Sequence, residues 1–306
     1  MPPLSTKSER NQVIRFIDKF KEICVAPGGK EYPVIGLKAV RLIARESGIS
    51  TREVESAALE QGVIPRRYLR NMGTIGREGQ VKLLRSVVGV IGAGGLGGTI
   101  IELLARQGIG HIIIIDHDRF AEEDLNRQLM STEGYLGEYK AMVAARRVKK
   151  INSATNAVPL VEKITKENAH ELLKDAQVVV DGLDNLPSRF LVEEACRNLG
   201  IPFVHGTIAG FSGQLMTIFP EDEGLRSIYG PPGELPERGI EVGAGNPSAT
   251  PTMIAAWQVQ EVIKIITGIG KPLRNRLLIL DAREGTAEEI KLRSEVLPKD
   301  ARENAD

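Results

Sequence analysis

The chain of 306 residues carries 40 basic and 40 acidic side chains, for a formal charge of zero, and is 42% hydrophobic and 26% charged. That length suits one large domain or two with a proper core, and the composition excludes disordered, collagen-like and coiled-coil architectures. A neutral balance also argues against a protein built to hold nucleic acid, which needs surplus Lys and Arg to neutralise phosphates. Two cysteines, Cys24 and Cys196, are too few for a disulfide framework or a four-cysteine zinc knot, so a reducing compartment is expected. The uncharged stretch Ser86 to Ile101 carries six glycines and runs into Glu102, which suits a buried strand and turn rather than a membrane span. A cytoplasmic protein free of membrane is the expectation.

Residues 1–65 read as a helical segment. Val13, Ile17, Phe20 and Cys24 recur in steps of four, three and four, which places them on one helix face and Cys24 in the core. A second helix is expected from Gly36 to Glu46, ending near Gly48. A third follows Ser50 and Glu53, which have capping-box spacing, and stops near Gly62. The pair has the size of a helix-turn-helix, but the second helix offers Arg52 as its one cation among Glu53, Glu55 and Glu60. A packing or dimerisation module is therefore favoured over a DNA reader.

From Val87 the pattern changes to apolar runs, VVGVIGAG, HIIIIDHD, AQVVVDGLD and IPFVHGT, separated by stretches of helical length at Gly97 to Gln107, Tyr139 to Ile151 and Asn168 to Asp175. Runs this uniformly apolar indicate strands covered on both faces. The fold class expected is α/β: a doubly wound, Rossmann-like, mostly parallel sheet with an antiparallel edge at GTIAGFSGQLMTIFP. GQLMTIF is a candidate edge for pairing with an extended peptide. A Pro- and Gly-rich loop from Glu221 to Pro251, an apolar helix from Pro251 to Gly268 with Met253, Ile254 and Trp257 as core, and a closing hairpin complete a domain over 66–298. Residues 299–306 read as a polar tail.

The sharpest local signal is Gly92-Ala93-Gly94-Gly95-Leu96-Gly97, directly after the strand VVGVI and opening a helix. Glycines there let the backbone approach an anionic ligand at a helix N-terminus. Asp116 follows Gly97 by 19 residues at the end of HIIIID, where an acidic side chain accepts hydrogen bonds from ribose hydroxyls. The charges that follow suit a triphosphate rather than a nicotinamide: Asn126 and Arg127 in FAEEDLNRQ, Lys140 in GEYK, and Asp184 and Asn185 after VVVDGL. Asp118 joins them beside Asp116. His205 and Cys196 read as structural, the latter as a small buried side chain.

The stretch RYLRNMGTIGREGQVKLLRSVVGVIGAGGLGG, followed by DHDRFAEEDLNRQ, GEYKA and VVDGLDN, resembles the MoeB/ThiF/HesA family of adenylating enzymes, relatives of the ubiquitin-activating enzymes. The resemblance covers about residues 66 to 293. It implies ATP and Mg2+ as cofactors and, as substrate, the C-terminal glycine carboxylate of a small ubiquitin-fold sulfur carrier ending in Gly-Gly. Carried over by motif, Gly95 lines the nucleotide, Asp116 holds the ribose, Asn126, Arg127 and Lys140 hold the phosphates, and Asp184 coordinates magnesium. The resemblance also implies a homodimer in which Arg70, from RYLRN, reaches the neighbouring protomer's phosphates.

This chain departs from the family in lacking the two Cys-x-x-Cys pairs that hold a structural zinc and any cysteine between Glu221 and Pro251. No structural zinc and no enzyme thioester are therefore expected, and a separate sulfur donor would attack the acyl-adenylate. Two other readings stay open: adenylation of a tRNA base or a peptide, and a non-catalytic nucleotide-binding relative.

Overall fold

The structure is a computed structural model that describes residues 7–25, 29–231 and 241–292; the polar tail lies outside them. The N-terminal part runs α1 (Lys7–Phe20), β1 (Glu22–Val25), β2 (Glu31–Ile35), α2 (Leu37–Ser47), α3 (Thr51–Glu60) and β3 (Ile64–Pro65). A 3-10 turn, Arg66–Asn71, and α4 (Gly76–Arg85) lead into β4 (Val87–Ile91), α5 (Gly95–Gln107), β5 (His111–Ile115), α6 (Lys140–Ile151) and β6 (Asn156–Leu160). Then come α7 (Ala169–Leu173), β7 (Val178–Asp181), α8 (Leu186–Leu199), β8 (Phe203–Ala209) and β9 (Ser212–Ile218). The chain closes with α9 (Arg226–Tyr229), α10 (Glu241–Ala244), α11 (Ala249–Thr267), β10 (Arg276–Asp281) and β11 (Thr286–Lys291).

The N-terminal unit is not wholly helical. Its helices share a core, Val13, Ile17, Val40, Ile43 and Val54 among others, with a small sheet ordered β1-β2-β3. Ser50 caps α3 through the expected box with Glu53, and Gly48 ends α2 in the left-handed region. Cys24 departs from the helical reading: α1 stops at Phe20, and Cys24 lies half-buried in β1, paired with Tyr32. The helical step from Phe20 to Cys24 fails because residues 22–25 pair with β2 instead.

The large sheet is ordered β11-β10-β9-β8-β7-β4-β5-β6. β6, β5, β4, β7 and β8 are parallel, and β9, β10 and β11 are antiparallel. Successive residues of the apolar strands serve two different cores. Val88, Val90, Ile112, Ile114, Val178 and Val180 pack under α5, α6 and α11, whereas Ile91, Ile113, Ile115 and Val179 pack with α7 and α8. This is why the strands carry no polar alternation.

One strand was not foreseen, and two local expectations change. β6 carries no strong apolar run because it is an edge strand, with Asn156 and Val158 exposed. GQLMTIF is antiparallel as expected but lies inside the sheet, with β8 on one side and β10 on the other, so it has no free edge for a peptide. The antiparallel edge is β11, whose exposed acidic and basic side chains discourage further pairing. Trp257 is 41% exposed although Ile254 beside it is fully buried. Between Glu221 and Pro251 the described residues form α9, α10 and the start of α11.

Candidate active site

Chain order makes β4 the first strand of the parallel set, and its neighbours β5 and β7 are reached by crossovers in opposite directions. Such a reversal opens a crevice at the C-terminal strand ends. A cleft of about 360 Å³ lies there, lined by the ends of β4, β5 and β7 and by Thr207 and Ile208 of β8.

The glycine motif divides by role. Gly92 takes φ +89°, and a Cβ on it would stand 2.4 Å from the carbonyl oxygen of Gly182. A Cβ on Gly97 would stand 1.8 Å from the carbonyl oxygen of Gly92, so Gly97 serves helix packing and does not line the cleft. Gly94 and Gly95 do line it, and a Cβ on Gly95 would meet nothing closer than Pro251 at 3.5 Å. The N-terminus of α5 therefore presents open backbone to the cleft.

Asp116 is buried at the end of β5, and its carboxylate accepts the N–H groups of Ala93 at 2.6 Å and Asp118 at 2.7 Å. Burial pushes this carboxyl above its usual range, against those N–H groups and the charge of Lys140. Lys140, at the start of α6, is also buried, with its ammonium 3.4 Å from Asp124 and 3.6 Å from Asp118. Arg127 reaches Asp124 at 3.6 Å and donates to the carbonyl of Glu123 at 2.8 Å. Asp184 is exposed to the cleft, and Asn185 Nδ2 donates to it at 3.0 Å. Asn185 itself caps α8 by accepting from the N–H of Ser188.

Of the residues named from sequence, Gly92, Gly94, Gly95, Asp116, Asp118, Arg127, Lys140, Asp184 and Asn185 thus meet in one cleft. Asn126 does not line it; its amide donates to the carbonyl of Asn246 at 3.3 Å. Arg70 is exposed in the 3-10 turn whose neighbours Arg67 and Tyr68 bond to Asn152. That turn sits by the N-terminal ends of the parallel strands, where Arg52 of α3 also donates to Gly110, and Arg70 does not line the cleft. Sequence reading passed over Asp124, whose buried carboxylate meets Arg127 and Lys140; its signal was one acid within an acidic run, EED.

The donor set fits a metal-bound polyphosphate. The lining holds six carboxylates, those of Asp116, Asp118, Glu123, Asp124, Glu162 and Asp184, against four Lys and Arg side chains. A bare triphosphate meets net repulsion in such a wall, whereas one carrying a divalent cation does not. Asp184 has the oxygen to offer. The other grouping of ligand atoms, Asp116, His117 and Asp118 within 4.8 Å, is less suited, because Lys140 stands beside it and Asp116 is engaged by backbone N–H groups.

The ThiF family profile matches residues 68–299. The chain belongs to the ThiF family. This ThiF-family chain is 36% identical over 233 residues to a SAMP-activating enzyme E1 of Haloferax volcanii, covering 74% of this chain and 85% of that protein. It is 35% identical over 238 residues to a sulfur carrier protein adenylyltransferase of Thermus thermophilus, covering 74% and 87%. Its class is that of its relatives, an adenylyltransferase. Among solved structures, E. coli MccB with MccA-N7isoASN shares the fold at a TM-score of 0.65 and 22% identity, covering 91% of this ThiF-family chain and 97% of MccB. Among the described residues no helix is long and apolar enough to cross a membrane.

Proposed function

We propose that this chain transfers AMP from ATP to the C-terminal carboxylate of a small ubiquitin-fold carrier ending in Gly-Gly. The observation that carries this reading is the cleft itself, which Lys140, Arg127, the open glycine backbone and Asp184, in the turn after β7, line together. The relatives named for sulfur carriers and for SAMP supply the acceptor class.

In this reading the carrier's carboxylate oxygen bonds to the α-phosphorus, the bond to the bridging oxygen breaks, and pyrophosphate leaves with its electron pair. Gly94 and Gly95 hold phosphate oxygens through backbone N–H groups, Asp116 accepts the ribose hydroxyls with Asp118 beside it, and Lys140 and Arg127 neutralise the phosphates. Asn185 steadies Asp184, which would hold the magnesium; that ion supplies charge neutralisation for the leaving pyrophosphate. Asn126 acts on the rim through Asn246. Arg70 serves a partner protomer in a homodimer, which is consistent with its not lining its own cleft. We divide the chain at residue 65, with 66–298 as the adenylating domain, and place it in the cytoplasm.

The acyl-adenylate leaves without an enzyme thioester. Cys196 is buried, and burial pushes its thiol up, away from the thiolate that a nucleophile requires. Cys24 lies in the N-terminal unit. A separate sulfur donor is the consequence.

A second reading, a peptide acceptor, draws on one observation. The fold shared with MccB covers 91% of the chain, more than residues 66–306 alone supply, so part of the N-terminal unit has a counterpart there. Pyrophosphate–ATP exchange separates the two. Exchange dependent on magnesium and a Gly-Gly carrier supports the first; exchange with short peptides and none with carriers overturns it. Asp184→Ala is expected to lower exchange at least a hundredfold while melting like the wild type, and normal exchange refutes the magnesium role.

A further inference from the structure

Asp181, the last residue of β7, is fully buried and holds three partners. Arg189 Nε donates to it at 3.0 Å, His205 Nδ1 lies at 2.7 Å, and the N–H of Leu183 donates at 2.9 Å. Arg189 also donates to the carbonyl of Leu183 at 2.5 Å. Both backbone groups of Leu183 are therefore fixed by this cluster, and the next residue is Asp184. Against the burial that opposes ionisation, Arg189 and His205 hold the Asp181 carboxyl below its usual range.

The second ring nitrogen of His205 faces away from the sheet cluster. Nε2 lies 3.1 Å from the hydroxyl of Tyr229 in α9, and Gln214 of β9 donates to that same hydroxyl at 2.7 Å. The two rings meet edge to face, with centroids 5.8 Å apart. Burial lowers the imidazole pKa, against the pull of the Asp181 carboxylate. A neutral ring fits these contacts with Nδ1–H donating to Asp181, the Tyr229 hydroxyl donating to Nε2, and the tyrosine oxygen accepting from Gln214. Two residues along the same face of β8 from His205, Thr207 lines the cleft, and Gln214 is its cross-strand partner.

We propose that His205 is a positioning residue for the nucleotide site, fixed in tautomer and angle by Tyr229, and that through Asp181 it sets the Leu183–Asp184 turn. The proposal rests on the reading of Asp184 as the magnesium ligand. Without the Tyr229 hydroxyl, a buried Nε2 loses its donor, the ring is no longer fixed, and the turn that presents Asp184 loosens. The ribose and glycine contacts, on β4 and β5, are untouched.

The test compares Tyr229→Phe, His205→Asn and the double variant in the full chain. Asparagine keeps a donor near Asp181 but does not reach Tyr229. Titrating magnesium against ATP binding, each single variant is expected to weaken the apparent magnesium affinity about fivefold, with ATP affinity in the absence of magnesium within twofold of wild type. Exchange at saturating ATP and acceptor should fall about tenfold in kcat, and the double variant should be no worse than the poorer single one. A Tyr229→Phe protein with wild-type magnesium dependence, or variants whose effects multiply, overturns the proposal. Wild-type protein that binds magnesium–ATP but fails to exchange with any acceptor removes the adenylation reading, while the magnesium titration still decides the role of His205.

Discussion

The ammonium of Lys140 lies 3.4 Å from the carboxylate of Asp124, which also takes Arg127 at 3.6 Å. One buried acid thus engages both cations proposed for phosphate, and an incoming triphosphate must share or displace it. The oxygen of Gln128 beside it is buried without a partner, so it accepts the N–H of an asparagine placed at 124 after a simple amide rotation. Asp124→Asn is expected to keep the fold and to tighten ATP binding by roughly 1 kcal/mol, about fivefold, through removal of one like charge. Isothermal titration with a non-hydrolysable ATP analogue reads this directly, and weaker binding would show that Asp124 serves to orient the cations.

The glycine motif yields a contrast within three residues. Gly97→Ala drives a Cβ into the carbonyl of Gly92 and should cost about 3 kcal/mol of stability, read as a fall in melting temperature. Gly95→Ala meets ordinary contacts and should melt within ~1 kcal/mol of wild type. Its ATP affinity should nevertheless drop about tenfold, because the methyl occupies the approach of phosphate to the backbone. Equal melting of the two variants contradicts the division of roles.

Glu55 of α3 supplies a pH dependence. Burial pushes its carboxyl up to about 7 from an ordinary 4.5, against the pull of Arg67 at 3.2 Å and a hydrogen bond with Tyr68. With the folded value raised, the native state holds the proton more tightly than the unfolded chain. The stabilisation is complete below 4.5 and is lost as pH rises through 7. Glu55→Gln should therefore be close to wild type in stability at pH 4.5 and more stable than wild type at pH 8, by an amount on the order of 2 to 3 kcal/mol. Melting curves at the two pH values test it; a pH-independent gap would mean that Glu55 stays ionised beside Arg67.

The parallel strands and the nucleotide motif were legible because their causes are local. Burial on both faces writes continuous apolar runs such as HIIIID, and a strand-to-helix turn that carries backbone close to another strand needs glycine at Gly92 and Gly97. The elements that escaped were those with little apolar surface to bury: the edge strand β6 and the hairpin of β1 and β2. Asp124 escaped because one acid among acids has no periodic signature.

The order of residues therefore determined the fold class and most of the side chains that gather at the strand ends, since each is written in a pattern spanning a few positions. Pairing decided the rest. Only the assembled sheet showed that β9 has neighbours on both sides, that Asn126 turns to Asn246, that Arg70 does not line the cleft, and that His205 joins Asp181 to Tyr229 across 24 residues on each side. Those relations depend on which strand ends come together, a property of contacts between distant segments that no short window of sequence contains.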